Sequence, residues 1–136
     1  MKIPFRQLVN DTSPLIEIEP IKKLSEKPGM KQAFSELYQI LSHCNGDVLA
    51  LIPSKFLEFL QERRDPNWNG NLNFSINLFE MEMLPDTRVL IGMVYRDFLC
   101  SEEERIRLIE KDRMEAEASG YAYKYESLMD ILKLAD

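Results

Sequence analysis

The segment VLIGMVYRDFLCSEEER, residues 89–105, is the best guide to the architecture of this chain, because an apolar run leads directly into an acidic helix start. At 100° per residue, five of its apolar side chains lie within about 140° of arc: Leu90, Ile91, Val94, Tyr95 and Phe98. Val89 and Met93 extend the apolar surface to a second face. A helix that is apolar on most sides is usually one around which others pack. We therefore predict a central helix over residues 87–100, with Asp86 as its cap.

A second helix is predicted directly after this one. Ser101 and Glu104 have the spacing of a capping box, in which each side chain satisfies a free backbone donor at the helix start. The acidic residues of the first turn also suit the positive end of the helix dipole. We expect this helix to reach about residue 118 and to bury Ile106 and Ile109, with Leu108 on its flank.

Two helices are predicted upstream. From Met30 to Cys44 the apolar positions recur at steps of three and four, and Asn45-Gly46 ends that helix because both residues tolerate the left-handed conformation. We place Pro53 in the first turn of a helix over 54–64, where its missing N–H costs nothing. That helix is expected to bury Phe56, Leu57, Phe59 and Leu60.

The predicted fold is mainly α, a compact orthogonal bundle of about four to five helices. Residues 1–29 contain four prolines and are expected to form an extended arm. The helical domain covers 30–118, with a long loop over 65–85 packed on it. An aromatic linker and a short amphipathic helix over 119–136 follow, with a second capping box at Ser127 and Asp130.

The composition sets limits on function. The chain has 136 residues, of which 45% are apolar and 29% charged. This balance is that of an ordinary single globular domain. A net charge of −6 argues against binding to phosphate backbones, so nucleic acid is not an expected partner. No apolar run approaches the roughly 20 residues that span a bilayer, and the first residues lack the apolar centre of a secretory signal. We expect a cytoplasmic protein that does not bind membranes.

Three segments together resemble a family of small bacterial proteins of unknown function. They are FSELYQIL (34–41), LALIPSKFLEFLQERRD (49–65) and RVLIGMVYRDFLCSEEE (88–104), and the resemblance covers roughly residues 33–111. It implies a helical domain in an intracellular bacterial setting. It supplies no catalytic or ligand-binding residues.

Tyr95, Arg96 and Asp97 form the candidate polar cluster. A charged pair beside the most apolar helix could bind an anion or polarise a carbonyl, in a cleft that also includes Trp68. In the structural interpretation, which we favour, Arg96 pairs with an acid of the next helix and Asp97 orders the turn into Ser101. A small enzyme or ligand-binding domain with a cleft at these residues is the alternative function.

No metal, cofactor or catalytic site is predicted. His43 and Cys44 are adjacent, but neighbours on a helix point about 100° apart and cannot easily share one ion. A nucleophile at Cys100 would need His43 as a base, and nothing in the sequence places the two together.

Local helix propensity alone does not explain the terminal segment YAYKYESLMDILKLAD, residues 121–136. About ten residues cannot hold a helix in water by propensity alone, so its apolar stripe must dock on this domain, on a second copy or on a partner's groove. The sequence therefore favours a small helical protein-interaction or regulatory module, with homodimerisation as one of its forms. The candidate partner-binding residues are Tyr121, Tyr123, Tyr125, Leu128, Ile131 and Leu132.

Overall fold

The computed structural model describes residues 26–44, 46–68, 84–120 and 127–130. All regular structure in these ranges is helical, which confirms the mainly α prediction. The predictions on residues 1–25, 45, 69–83, 121–126 and 131–136 lie outside the described residues. The elements are α1 (Met30–Ser42), α2 (Gly46–Leu51), α3 (Ser54–Arg63), α4 (Pro85–Val94), a π-helix (Tyr95–Leu99) and α5 (Glu102–Ala118), followed by a helical turn at 128–130.

Helix α1 packs against both α3 and α4. It begins after Gly29, whose φ of 86° is a left-handed conformation that glycine adopts without strain. The apolar stripe predicted for this helix is the buried one, because residues three and four apart share one face of a helix. Its buried apolar side chains are Met30, Ala33, Phe34, Leu37, Ile40 and Leu41.

Helix α3 supplies the aromatic part of the core. Phe56, Phe59 and Leu60 are buried as predicted, whereas Leu57 is only half-buried. The rings of Phe34 and Phe59 meet edge to face with centroids 5.9 Å apart, one of the arrangements that aromatic pairs prefer. Pro53 has an extended backbone at the N-cap, one position before the first helical turn in which it was predicted.

Helix α4 begins at Pro85, two residues earlier than predicted, and Leu84 rather than Asp86 is its N-cap. Proline suits the first helical position because its missing N–H would have no intrahelical acceptor there. The N–H of Leu84 donates to Oε1 of Glu36 on α1 at 3.0 Å. Asp86 lies in the first turn, where its negative charge suits the helix dipole.

The central position predicted for 87–100 agrees with burial, since residues 90–96 form an unbroken buried run. The helix is not α throughout. Over Tyr95–Leu99 it widens into a π-helix, and the N–H of Cys100 donates to the carbonyl of Tyr95 at 2.9 Å. Single π-helical turns are rare and interrupt α-helices, often at functional sites. No pattern in the sequence had predicted this turn.

Helix α5 begins at the predicted capping residue, where Ser101 Oγ accepts a hydrogen bond from the N–H of Glu104 at 3.2 Å. The buried residues of α5 are Asp112 and Ala116. The prediction that Ile106 is buried is wrong, since 60% of its surface is exposed. Ile109 is half-buried. The reason is rotational: α5 meets the π-helix at Asp112, which pairs with Arg96, and Ile106 lies about 120° around the helix from Asp112.

No helix within the described ranges is both long and apolar enough to cross a membrane.

Candidate functional site

The three residues of the predicted polar cluster lie together at the π-helix and are withdrawn from solvent. Tyr95 is 8% exposed and Arg96 1%, and the side chain of Asp97 is 1% exposed. The phenol of Tyr95 donates to Oε2 of Glu104 at 2.8 Å. Burial of charged side chains is unfavourable unless they are paired and hydrogen-bonded. The role of the cluster therefore depends on which groups pair with Arg96 and Asp97.

Arg96 and Asp97 form a two-point ion pair, although they are neighbours in sequence. Nε of Arg96 donates to Oδ1 of Asp97 at 3.0 Å, and Nη2 donates to Oδ2 at 3.2 Å. Two parallel bonds of this kind are the strong geometry for guanidinium and carboxylate. The wide turn of the π-helix brings successive side chains closer in direction than the 100° steps of an α-helix do.

A second carboxylate reaches the same guanidinium from α5. Oδ2 of Asp112 lies 3.7 Å from Nη1 of Arg96, and Asp112 is 2% exposed. This ion pair fits the structural interpretation, in which Arg96 pairs with an acid of the next helix. Asp112 itself was missed in the sequence. The position of Asp112 in the sequence indicates burial, because it follows Ile109 by three residues and precedes Ala116 by four, on the side of α5 that faces inward.

Asp97 also binds the C-terminal segment. Its Oδ2 accepts a hydrogen bond from the N–H of Leu128 at 2.9 Å, where a helical turn begins. Asp97 was expected to order the turn into Ser101, and its bond to Leu128 satisfies a donor at the start of another helix. The cluster thus joins the π-helix, α5 and the terminal turn.

Leu128 is fully buried and belongs to the hydrophobic core. Ser127 caps its turn as predicted, since Ser127 Oγ accepts from the N–H of Asp130 at 3.2 Å. Leu128 is thus occupied within its own chain. The other candidate partner-binding residues, Tyr121, Tyr123, Tyr125, Ile131 and Leu132, lie outside the described residues.

Trp68 shares no described pocket with the polar cluster. It borders a pocket of about 200 Å³ between one side of α1 and the turn after α3. None of residues 95–97 is in the lining. The structure therefore does not bring Trp68 together with the cluster. The described lining consists of Ser35, Tyr38, Gln39, Ser42, Arg64, Asp65, Pro66 and Trp68.

The two cysteines are free thiols. Burial raises the pKa of Cys44 to about 12, and burial followed by the nearby charge of Glu104 raises the pKa of Cys100. A raised pKa lowers the fraction of reactive thiolate. Nδ1 of His43 lies 2.9 Å from the carbonyl oxygen of Gln39. Across the described ranges, no group of three or more histidine, cysteine, aspartate or glutamate side chains could hold a metal ion.

The outer side of α5 carries two exposed apolar residues, Ile106 (60% exposed) and Met114 (59%). Ion pairs at spacings of three and four run along the same helix, and Arg113 contacts both Glu110 and Glu117. These two contacts raise the pKa of Arg113, and the hydrogen bond from Arg113 lowers the pKa of Glu110. Such pairs support a helix that buries few of its residues.

Comparison of the chain with protein-family models, curated proteins and solved structures finds no match.

Proposed function

We propose that this chain is a small cytoplasmic helical protein-interaction module without catalytic activity, and that the outer side of α5 binds a second copy of the chain. The observation that carries the proposal is the exposure of Ile106 and Met114, at 60% and 59%, on a helix of which only Asp112 and Ala116 are buried. Two free thiols support a reducing compartment such as the cytoplasm.

The positions of the two apolar residues fit a two-fold axis. Ile106 and Met114 are eight residues apart, or about 80° around the helix, and Glu110 is midway between them. In a two-fold interface residue i contacts j, and j contacts i. Two antiparallel copies of α5 that cross at Glu110 would place each Ile106 against Met114 of the other copy.

The charges at the crossing point are compatible with this arrangement. Each Glu110 would meet Glu110 of the second copy, which is repulsive unless cations are close. Arg113 provides that cation, since its guanidinium already contacts Glu110 within one helix. In the dimer each Arg113 would lie between two Glu110 carboxylates. One helix from each copy buries less than the roughly 1,200 Å² of stable interfaces, so we expect a weak, concentration-dependent dimer.

The burial of Tyr95, Arg96 and Asp97 supports an interaction module over an enzyme that uses these residues. Their described contacts lie within the protein, so a substrate would have to displace them. The net charge of −6 supports a protein partner over nucleic acid.

Sedimentation equilibrium from micromolar to millimolar concentration tests the proposal. We expect the average mass of the wild type to rise toward that of a dimer, and the double variant Ile106→Lys, Met114→Lys to remain monomeric. Leu51→Lys is the matched control, because Leu51 is 56% exposed on α2. A wild type that stays monomeric at millimolar concentration would refute the proposal, as would a dimer that only Leu51→Lys disrupts.

Crosslinking tests the geometry separately. In a background with Cys100→Ser, Glu110→Cys should form a disulfide between two chains under mild oxidation, because residue 110 lies at the proposed axis. Leu51→Cys in the same background should not. Equal crosslinking of both variants would contradict the antiparallel arrangement.

A further inference from the structure

We infer that the pocket between α1 and residues 64–68 binds a carboxylate attached to a small, flat apolar group. This inference is independent of the proposed self-association, since it concerns a different surface. The pocket has a volume of about 200 Å³. Pockets for drug-sized ligands begin at roughly 300 Å³. A single ring or one amino-acid side chain matches the smaller size.

The walls of the pocket are held in place by hydrogen bonds around Asp65. Its N–H donates to Ser35 Oγ at 2.7 Å, which ties the turn after α3 to α1. Oδ2 of Asp65 accepts from Nε2 of Gln32 at 3.2 Å, and Oδ1 accepts from the N–H of Asn67 at 2.9 Å. Both carboxylate oxygens are thus engaged by the protein. A preformed site loses less entropy when a ligand binds.

Arg64 supplies the charge that recognises the ligand. Its guanidinium lies over the ring of Tyr38, 5.3 Å from the centroid. A cation–π contact of this kind orients a long side chain. No carboxylate in the described part of the chain pairs with Arg64, whereas the preceding residue, Arg63, lies 3.6 Å from Glu62. A guanidinium that is stacked but not paired can present two N–H groups to a carboxylate.

The rest of the lining favours a flat apolar body on the ligand. Tyr38 and Trp68 are both half-buried and both border the pocket, so the lining offers aromatic surface as well as the charge of Arg64. The Tyr38 phenol and the Trp68 indole N–H make no hydrogen bond within the described ranges and can serve as further donors. Arg64 is the one basic residue of the described lining, which matches a single negative charge better than a phosphate dianion.

The same chemistry occurs in two sources, a free aromatic acid and the C-terminal carboxylate of a peptide that ends in an aromatic residue. The chain has one tryptophan, so the single indole N–H peak in a ¹H–¹⁵N spectrum reports directly on this pocket. We would titrate the full chain with benzoate, with neutral benzyl alcohol and with cationic benzylamine at constant ionic strength. A short peptide ending in Phe, with a free or an amidated terminus, forms the second arm.

We expect benzoate or the free-terminus peptide to shift the Trp68 peak with saturation, and the source with the lower Kd to identify the ligand. In Arg64→Gln the Kd should rise about tenfold or more, because a charge-assisted pair is lost. Arg63→Gln, the same change one residue earlier, should leave the Kd unchanged. The inference fails if neither acid saturates, if neutral and anionic probes bind equally, or if Arg64→Gln and Arg63→Gln behave alike.

Discussion

Oδ2 of Asp97 accepts a hydrogen bond from the backbone N–H of Leu128 at 2.9 Å, across 31 residues of chain. The same carboxylate holds the guanidinium of Arg96, which also reaches Asp112 on α5. One side chain thus connects a buried ion network to the start of the terminal turn. Loss of Asp97 should therefore affect both the stability of the core and the docking of the C-terminal segment.

Replacing Asp97 with Asn tests the network. The amide keeps the shape but removes a buried negative charge beside Arg96, and breaking a buried pair costs about 3 kcal/mol or more. Urea unfolding should show that loss, and hydrogen exchange at the N–H of Leu128 should become faster. Glu102→Gln removes an exposed partner of Arg105. It should change the free energy of unfolding by no more than about 0.5 kcal/mol. Equal effects of the two variants would show that Asp97 is not structural.

Replacing Leu128 with Ala tests whether the terminal segment belongs to the core. Leu128 is fully buried. Truncation of such a side chain costs about 3 kcal/mol from lost burial and the cavity left behind. Met129→Ala should cost less, since Met129 is only half-buried. Deletion of residues 121–136 should destabilise the domain at least as much as Leu128→Ala. A deletion variant with wild-type stability would assign the segment to partner binding alone.

Glu110 should make stability depend on pH in the acidic range. Its folded-state pKa is lowered from 4.5 by the hydrogen bond from Arg113, so its contribution is present above pH 4.5. That contribution is lost as the pH falls through the lowered value and the carboxylate becomes protonated. The difference in Tm between the wild type and Glu110→Gln should therefore shrink below pH 4.5. A difference in Tm that stays constant as the pH falls through this range would contradict the lowered pKa of Glu110.

The thiol of Cys44 should react only when the protein opens. Burial raises its pKa to about 12, so almost no thiolate exists at pH 8. A disulfide reagent at pH 8 should label Cys100, which is half-buried, well before Cys44. Urea should accelerate labelling of Cys44 in step with unfolding. Rapid labelling of Cys44 in the native protein would contradict its burial, and Cys100→Ser provides the control that isolates the Cys44 reaction.

Thr87 should tolerate loss of its hydroxyl. It is fully buried in the first turn of α4, and its Oγ1 has no hydrogen-bond partner among the described residues. Thr87→Val removes an unsatisfied polar atom and should raise the free energy of unfolding by about 1 kcal/mol. Thr87→Ser keeps the hydroxyl, removes a methyl group and should lower it by about 1 kcal/mol. A marked loss of stability in Thr87→Val would mean that the hydroxyl is bonded.

The helices could be predicted because their signals are local. Apolar residues at steps of three and four predicted α1 and α3, and the serine caps located the starts of α5 and the terminal turn. The start of α4 was predicted two residues late because two capping solutions compete there, and Pro85 at the first helical position prevailed over Asp86 as a cap.

The candidate site could be predicted only in part. Residues 95–97 were identified as a cluster, but Asp112 and Leu128, which complete it, come from segments that only the folded chain brings near. The pocket at Trp68 likewise combines α1 with the turn after α3. Its key residue, Arg64, resembles any helix-terminal arginine in the sequence.

Local patterns in the chain were sufficient to establish that it is helical, where most of its helices begin and which stripe of α1 is buried, because periodicity and capping involve neighbouring residues alone. The packing of the helices was needed to establish that Arg96 and Asp97 are interior, that Ile106 faces solvent and that Leu128 closes the core. Those outcomes depend on how each helix is rotated against the others. Contacts between residues far apart in the chain fix that rotation.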